Sequence, residues 1–282
     1  MQDSQFKPKL LRNVRYRYHD AAEREGRPRS ASRRPWDRSP SQTRHDHPQQ
    51  YWIAFDRVYV GSVVIDTSSS SPFDTRDLGN ELGRLSIDLI DSPITQEKLH
   101  AINTGGATLM VGSSSPEALQ KVLPVLKDMS SHVFPMGPLG SGHTMKTLNN
   151  YVSVGSIIAL CDALVTGQKL GLDPQTMIDV MNVGTGVNFS TLFSMKNLKS
   201  YDSGYQLELL VKDVKIAKEV IEQSGFHTDL PKLALGYLED SLKLVDKGAC
   251  HSECLRSWEK RANVEIKKTE NDEGSRTRRS SI

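Results

Sequence analysis

The chain has 282 residues, a quarter of them charged, and a net charge of +2. That is length for one large domain or two smaller ones. Three cysteines (Cys161, Cys250, Cys254) exclude a disulfide framework. No uninterrupted apolar run reaches the roughly 18–20 residues of a membrane span, and the N-terminus has no apolar signal core. A soluble cytoplasmic or mitochondrial protein with no clear targeting signal and no membrane partner is expected.

Residues 1–57 read as a disordered basic segment. Residues 1–50 hold 12 Lys and Arg against 6 Asp and Glu, and the stretch is rich in Arg, Ser, Pro, Gln and His. Such composition buries too little apolar surface to offset its ordering entropy. Short Arg runs can neutralise phosphates, but no nucleic-acid reader motif accompanies them, so nucleic acid is not the expected partner.

Ordered structure is expected from Val58. The β-branched run up to Asp66 predicts a buried strand. It is followed by Ser71 as a cap, Pro72 at the first helical position and Asp74 in the first turn of a helix to about Leu85. Strands are predicted at Ile87–Asp91, Ala107–Val111 and His132–Pro135. A helix opened by Ser115 and Pro116 lies before the last of these. The alternation predicts an α/β layer with at least partly parallel pairing.

Beyond Gly142 only helices are predicted. The first runs from Thr144 to about Leu170 and is apolar on most of its circumference. Asp173-Pro174 restarts a shorter one, Leu207–Ser224 carries an amphipathic stripe, and Asp229-Leu230-Pro231 opens a last helix to about Val245. Cys161 reads as a small core hydrophobe. Cys250-His251-Ser252-Glu253-Cys254 would need a second pair of ligands to hold a structural zinc, and the sequence offers none, so no metal is expected. The remainder, 248–282, reads as a charged tail.

Within this pattern Gly140-Ser-Gly-His-Thr-Met-Lys-Thr-Leu-Asn-Asn150 stands out. Lys146 and Asn150 are at i and i+4 and project from one helix face. A lysine on an apolar helix is costly without a partner or a task. Spacing alone favours an exposed lysine in the first helical turns.

Four stretches together resemble the β-hydroxyacid dehydrogenases, typified by 3-hydroxyisobutyrate dehydrogenase and related to 6-phosphogluconate dehydrogenase. They are Gly61–Pro72, Leu89-Ile-Asp-Ser-Pro93, Gly140–Asn150 and Leu210-Val-Lys-Asp-Val-Lys-Ile-Ala217. The resemblance implies a partial Rossmann fold, the second half of a dinucleotide-binding sheet, followed by an all-α domain, with boundaries at 58–139 and 140–247. It implies NAD(P)-dependent hydride transfer to or from a small β-hydroxy acid, NAD or NADP as cofactor, and a homo-oligomer formed through the helical domain. By the same resemblance Lys146 is the acid/base, Asn150 and Gly142 bind substrate, and Ser69 and Lys212 contact the cofactor. Two features depart from the family pattern. No Gly-x-Gly-x-x-Gly turn precedes Gly61, where Gly26 is the only glycine, and Thr95-Gln96-Glu97 replaces an expected Ser-Gly-Gly substrate loop. These departures leave open a catalytically inactive, truncated relative that serves as a helical dimerisation or scaffold module.

Overall fold

The computed structural model describes residues 59–95, 107–195, 198 and 205–267. The basic segment 1–57 and residues 96 and 97 of the substrate-loop position lie outside them.

Strand β1 (Val63–Asp66) leads into helix α1 (Pro72–Gly83). The Ser71 hydroxyl accepts from the Phe73 amide and Pro72 occupies the first turn, so the helix begins where its cap and proline require. The strand is shorter than its apolar run suggests, because Gly61 turns the chain at φ +84° just before it. Strand β2 (Asp88–Asp91) pairs parallel to β1. A two-residue strand β3 (Ile94–Thr95) and the longer β4 (Ala107–Ser113) follow, and β4 runs antiparallel to both β2 and β3. Helix α2 (Pro116–Met129), capped by Ser115, returns the chain to β5 (Ser130–Pro138), which pairs parallel to β4. The sheet is therefore mixed, and each parallel pair is joined by a helix. Pro135 and Pro138 lie in β5, which among the described residues pairs with β4 alone, the edge position where a missing N–H costs least.

The helical unit begins with α3 (Ser141–Lys169), followed by α4 (Pro174–Val183), capped by the Asp173 carboxylate. A π-helical turn (Ser190–Ser194), α5 (Leu207–Gln223) and α6 (Leu230–Leu242) come next. Helix α3 is long and apolar enough to cross a membrane by length and composition, although no single apolar run in the sequence is. Its middle is the centre of the largest core cluster instead: Val154, Ile157, Cys161 and Leu164 are buried against Leu207, Leu210, Val214 and Leu238. Met145, Leu148 and Val152, which the apolar pattern also places inside, are exposed.

The chain does not turn into a charged tail at 248. A 3-10 turn (His251–Cys254) and helix α7 (Leu255–Ala262) complete the helical unit. Trp258 is 4% exposed, stacks on Tyr237 at 4.9 Å and donates its indole N–H to Asp162 Oδ1 at 2.7 Å. Cys254, Leu255 and Ile266 join the same core. Residues 268–282 lie outside the described part. Truncating Trp258→Ala should therefore destabilise the protein by roughly 3–5 kcal/mol, read from the denaturant midpoint. A change below about 0.5 kcal/mol, typical of a surface site, would mean that this segment is a solvated tail.

Candidate active site

The site is built where the sheet meets the first turn of α3. Asp91, at the end of β2, is completely buried. Its Oδ1 accepts from the Gly140 amide and its Oδ2 from the His143 amide, both at 2.7 Å. A buried carboxylate needs such partners, and here they are the otherwise unpaired N–H groups of a helix N-terminus, whose partial positive charge favours an anion. The carboxylate is packed so closely that side chains are excluded around it. A Cβ at Gly112 would meet Asp91 Oδ1 at 2.3 Å, and one at Gly142 would meet the Met110 carbonyl oxygen at 2.2 Å. Gly140 adopts φ +86° against the Pro72 carbonyl. Gly142 is thus buried against the sheet, and its lack of a side chain has a packing reason.

Beside it, His143 is fully buried. The Thr75 hydroxyl donates to the Ser71 carbonyl at 2.9 Å and so accepts from His143 Nδ1–H at 2.7 Å, which fixes the tautomer. Burial pushes the imidazole pKa below its usual value, although Asp66 and Asp91, about 4 Å away, pull the other way.

One turn further along α3 stands Lys146. Burial lowers its pKa from 10.5; the Lys212 charge adds to that shift and Asp213 opposes it. Asn150, on the same face, is buried and donates its amide to Asp213 Oδ2 at 2.5 Å. Asp213 lies on α5, next to Lys212, whose ammonium reaches across to the Ser69 carbonyl at 2.8 Å and stands 3.6 Å from Asp213 Oδ1. Asn150 and Lys212 therefore meet at the Asp213 carboxylate, whose charge also acts on Lys146, and Lys212 links this cluster to Ser69. Ser69 takes part in the Lys212 bond through its backbone, in the loop between β1 and α1. Sequence reasoning missed Asp91, His143, Asp213 and Tyr205, whose hydroxyl also donates to Asp213 Oδ2 at 2.5 Å. The Lys212-Asp213 pair was visible as a motif, but its partners on α3 were not.

These features agree with what the chain is similar to. Residues 49–137 match the NAD-binding domain of 6-phosphogluconate dehydrogenase. Residues 140–258 match the NAD-binding domain of NADP-dependent 3-hydroxyisobutyrate dehydrogenase. The chain belongs to the β-hydroxyacid dehydrogenase family of NAD(P)-dependent oxidoreductases. Within it, the chain is 26% identical over 210 residues to 2-(hydroxymethyl)glutarate dehydrogenase of Eubacterium barkeri, covering 73% of this chain and 69% of that one. It is 28% identical over 174 residues to human mitochondrial 3-hydroxyisobutyrate dehydrogenase, covering 58% of this chain and 51% of that one. Its fold is that of 3-hydroxyisobutyrate dehydrogenase from Salmonella typhimurium, with a TM-score of 0.62 at 21% identity over 69% of this chain and 68% of that structure. The chain thus spans about half the length of the mitochondrial relative and about two thirds of the bacterial one.

Replacing Asp91 by Asn turns one acceptor oxygen into a donor facing an amide. Asp91→Asn should cost roughly 2–4 kcal/mol in unfolding free energy, with the midpoint of chemical denaturation as readout. His143 is neutral when folded and binds a proton more readily when unfolded, so stability should fall as pH drops below 6.5. His143→Asn should flatten that slope between pH 6.5 and 5; identical slopes in the two proteins would show that His143 does not contribute.

Proposed function

We propose that this chain oxidises the hydroxyl of a small β-hydroxy acid, or reduces the corresponding carbonyl, with NAD or NADP, and that Lys146 is its acid/base. The observation that carries this reading is the set of groups around Asp213, which brings a partly desolvated lysine, a fixed amide and the loop after β1 to one place. A helical scaffold would gain nothing from a lysine held half-buried beside a second ammonium.

The β1–α1 loop and Lys212 fit the nicotinamide end of the cofactor: the loop follows the C-terminal end of a parallel strand, where such ligands bind in open α/β sheets, and Lys212 ties it to α5. When bound, the nicotinamide accepts or supplies the hydride. The rest falls to the chain's own side chains. In the oxidation direction the neutral Lys146 amine takes the hydroxyl proton; in reduction its ammonium returns it. Burial, by lowering the pKa from 10.5, raises the fraction of neutral amine available near neutral pH. Asn150, locked by Asp213, orients the substrate hydroxyl towards Lys146. Gly142 serves by letting α3 dock closely enough on the sheet to present both. A second copy of the chain, joined through the helical unit, is the proposed partner, and the proposed compartment is cytoplasmic or mitochondrial.

Turnover is tested with 3-hydroxyisobutyrate and 2-(hydroxymethyl)glutarate, following nicotinamide absorbance with each of NAD and NADP. Oxidation should quicken as pH rises and level off below pH 10.5. Lys146→Ala should lower kcat by about a hundredfold or more, with the dissociation constant for the nicotinamide changed little. Unchanged turnover in that variant would remove Lys146 from the mechanism. Absence of saturable NADH or NADPH binding would remove the dehydrogenase reading altogether.

A further inference from the structure

A polar chain crosses the site from the helical unit to the sheet. Tyr205 Oη donates to Asp213 Oδ2, and Asn150 Nδ2 donates to the same oxygen, each at 2.5 Å. Asn149 Nδ2 donates to Asn150 Oδ1 at 3.2 Å and to Thr95 Oγ1 at 3.3 Å. Because a carboxylate only accepts, Asp213 settles which way the Asn150 amide points, and the amide oxygen is then turned away from α5 towards Asn149. Tyr205 is itself held in place: its carbonyl accepts from the His251 amide at 2.8 Å, and its ring meets the His251 imidazole edge-on at 5.6 Å. The segment 250–254, which looks like half a metal site in the sequence, thus supports an active-site tyrosine.

From this geometry we infer that Tyr205 is a positioning residue of the site, whose hydroxyl, acting through Asp213, fixes the Asn150 amide and tempers the negative charge that Lys146 feels. The role deepens the reading of Lys146 as acid/base and rests on it. The phenol remains a donor, because burial and the adjacent Asp213 push its pKa far above the ordinary tyrosine value. Two short hydrogen bonds to one oxygen spread the carboxylate's charge. Removing one concentrates that charge and favours the Lys146 ammonium. The charged and titratable groups facing this cluster among the described residues are Asp213 and Lys212 on α5, Lys146 on α3, and His251 behind the Tyr205 ring.

The test is competitive acetylation of the full-length protein with acetic anhydride across a pH series, with the Lys146 peptide quantified by mass spectrometry. Tyr205→Phe keeps the ring against His251 and removes only the hydroxyl. It should move the Lys146 labelling midpoint up by about half a pH unit or more. Site-specific 3-fluorotyrosine at position 205, a stronger donor that preserves the fold, should move it down. In turnover, Tyr205→Phe should lower kcat with the hydroxy acid about tenfold, shift the acid limb of the pH profile upward and leave nicotinamide affinity unchanged. Labelling midpoints that coincide in all three proteins would overturn the inference, whatever the turnover. A parent protein that shows the labelling shifts but no turnover would uphold the Tyr205–Asp213–Lys146 coupling and refute the dehydrogenase reading instead.

Discussion

One buried carboxylate sets the geometry of this molecule. Asp91 ends a central strand fully buried, and the two amides that satisfy it belong to the start of α3. An ion so placed tolerates little displacement, since any loosening leaves a charge unpaired in a medium of low dielectric. It therefore fixes where the long helix departs from the sheet. Lys146 and Asn150 inherit their positions from that departure point, because a helix is rigid over one or two turns. The glycines around Asp91 follow from the same constraint: Gly112 and Gly142 leave the room that the carboxylate and the strand backbone occupy.

The second point of registration is the pair of neighbours on α5. Lys212 reaches back to the loop after β1, while Asp213 holds Asn150. Helix α5 is thus tied to the α/β layer through Lys212 and to α3 through Asp213, and the two ties lie on consecutive residues of one helix. Opposite signs on adjacent residues let one turn of α5 grip a carbonyl in one direction and an amide in the other. This arrangement holds Lys146 and Asn150 in register with the loop after β1, and the roles proposed for them depend on it.

What the sequence reveals and what it hides divide along the range of the forces involved. Ser71-Pro72, Ser115-Pro116 and Asp173-Pro174 announce their helices correctly because a cap is settled by atoms within three residues. The common face of Lys146 and Asn150 is likewise a matter of helical period. The two-residue strand β3 is too short to leave a pattern, and it exists because β4 offers it a partner. Helix α7 escapes notice for a related reason. Half of its residues are charged, and its place is decided by Leu255 and Trp258 entering a core built by earlier helices, from α6 with Tyr237 back to α3 with Asp162. The apolar pattern of α3 errs in the opposite sense, since Met145, Leu148 and Val152 are exposed although their periodicity matches the buried residues beyond them. The links from Asp213 to Asn150 and Tyr205 join side chains from separate segments, and no spacing rule encodes them.

The prolines of β5 bear on a different matter, the direction in which this sheet can be extended. Pro135 and Pro138 leave β5 two amide donors short, which makes it a poor template for a further strand. At the opposite flank β1 carries Val63, Val64 and Ile65 with no proline among them. That margin belongs to the parallel pair β1 and β2. Among the described residues the sheet therefore has two unlike margins, one short of amide donors and one that keeps them.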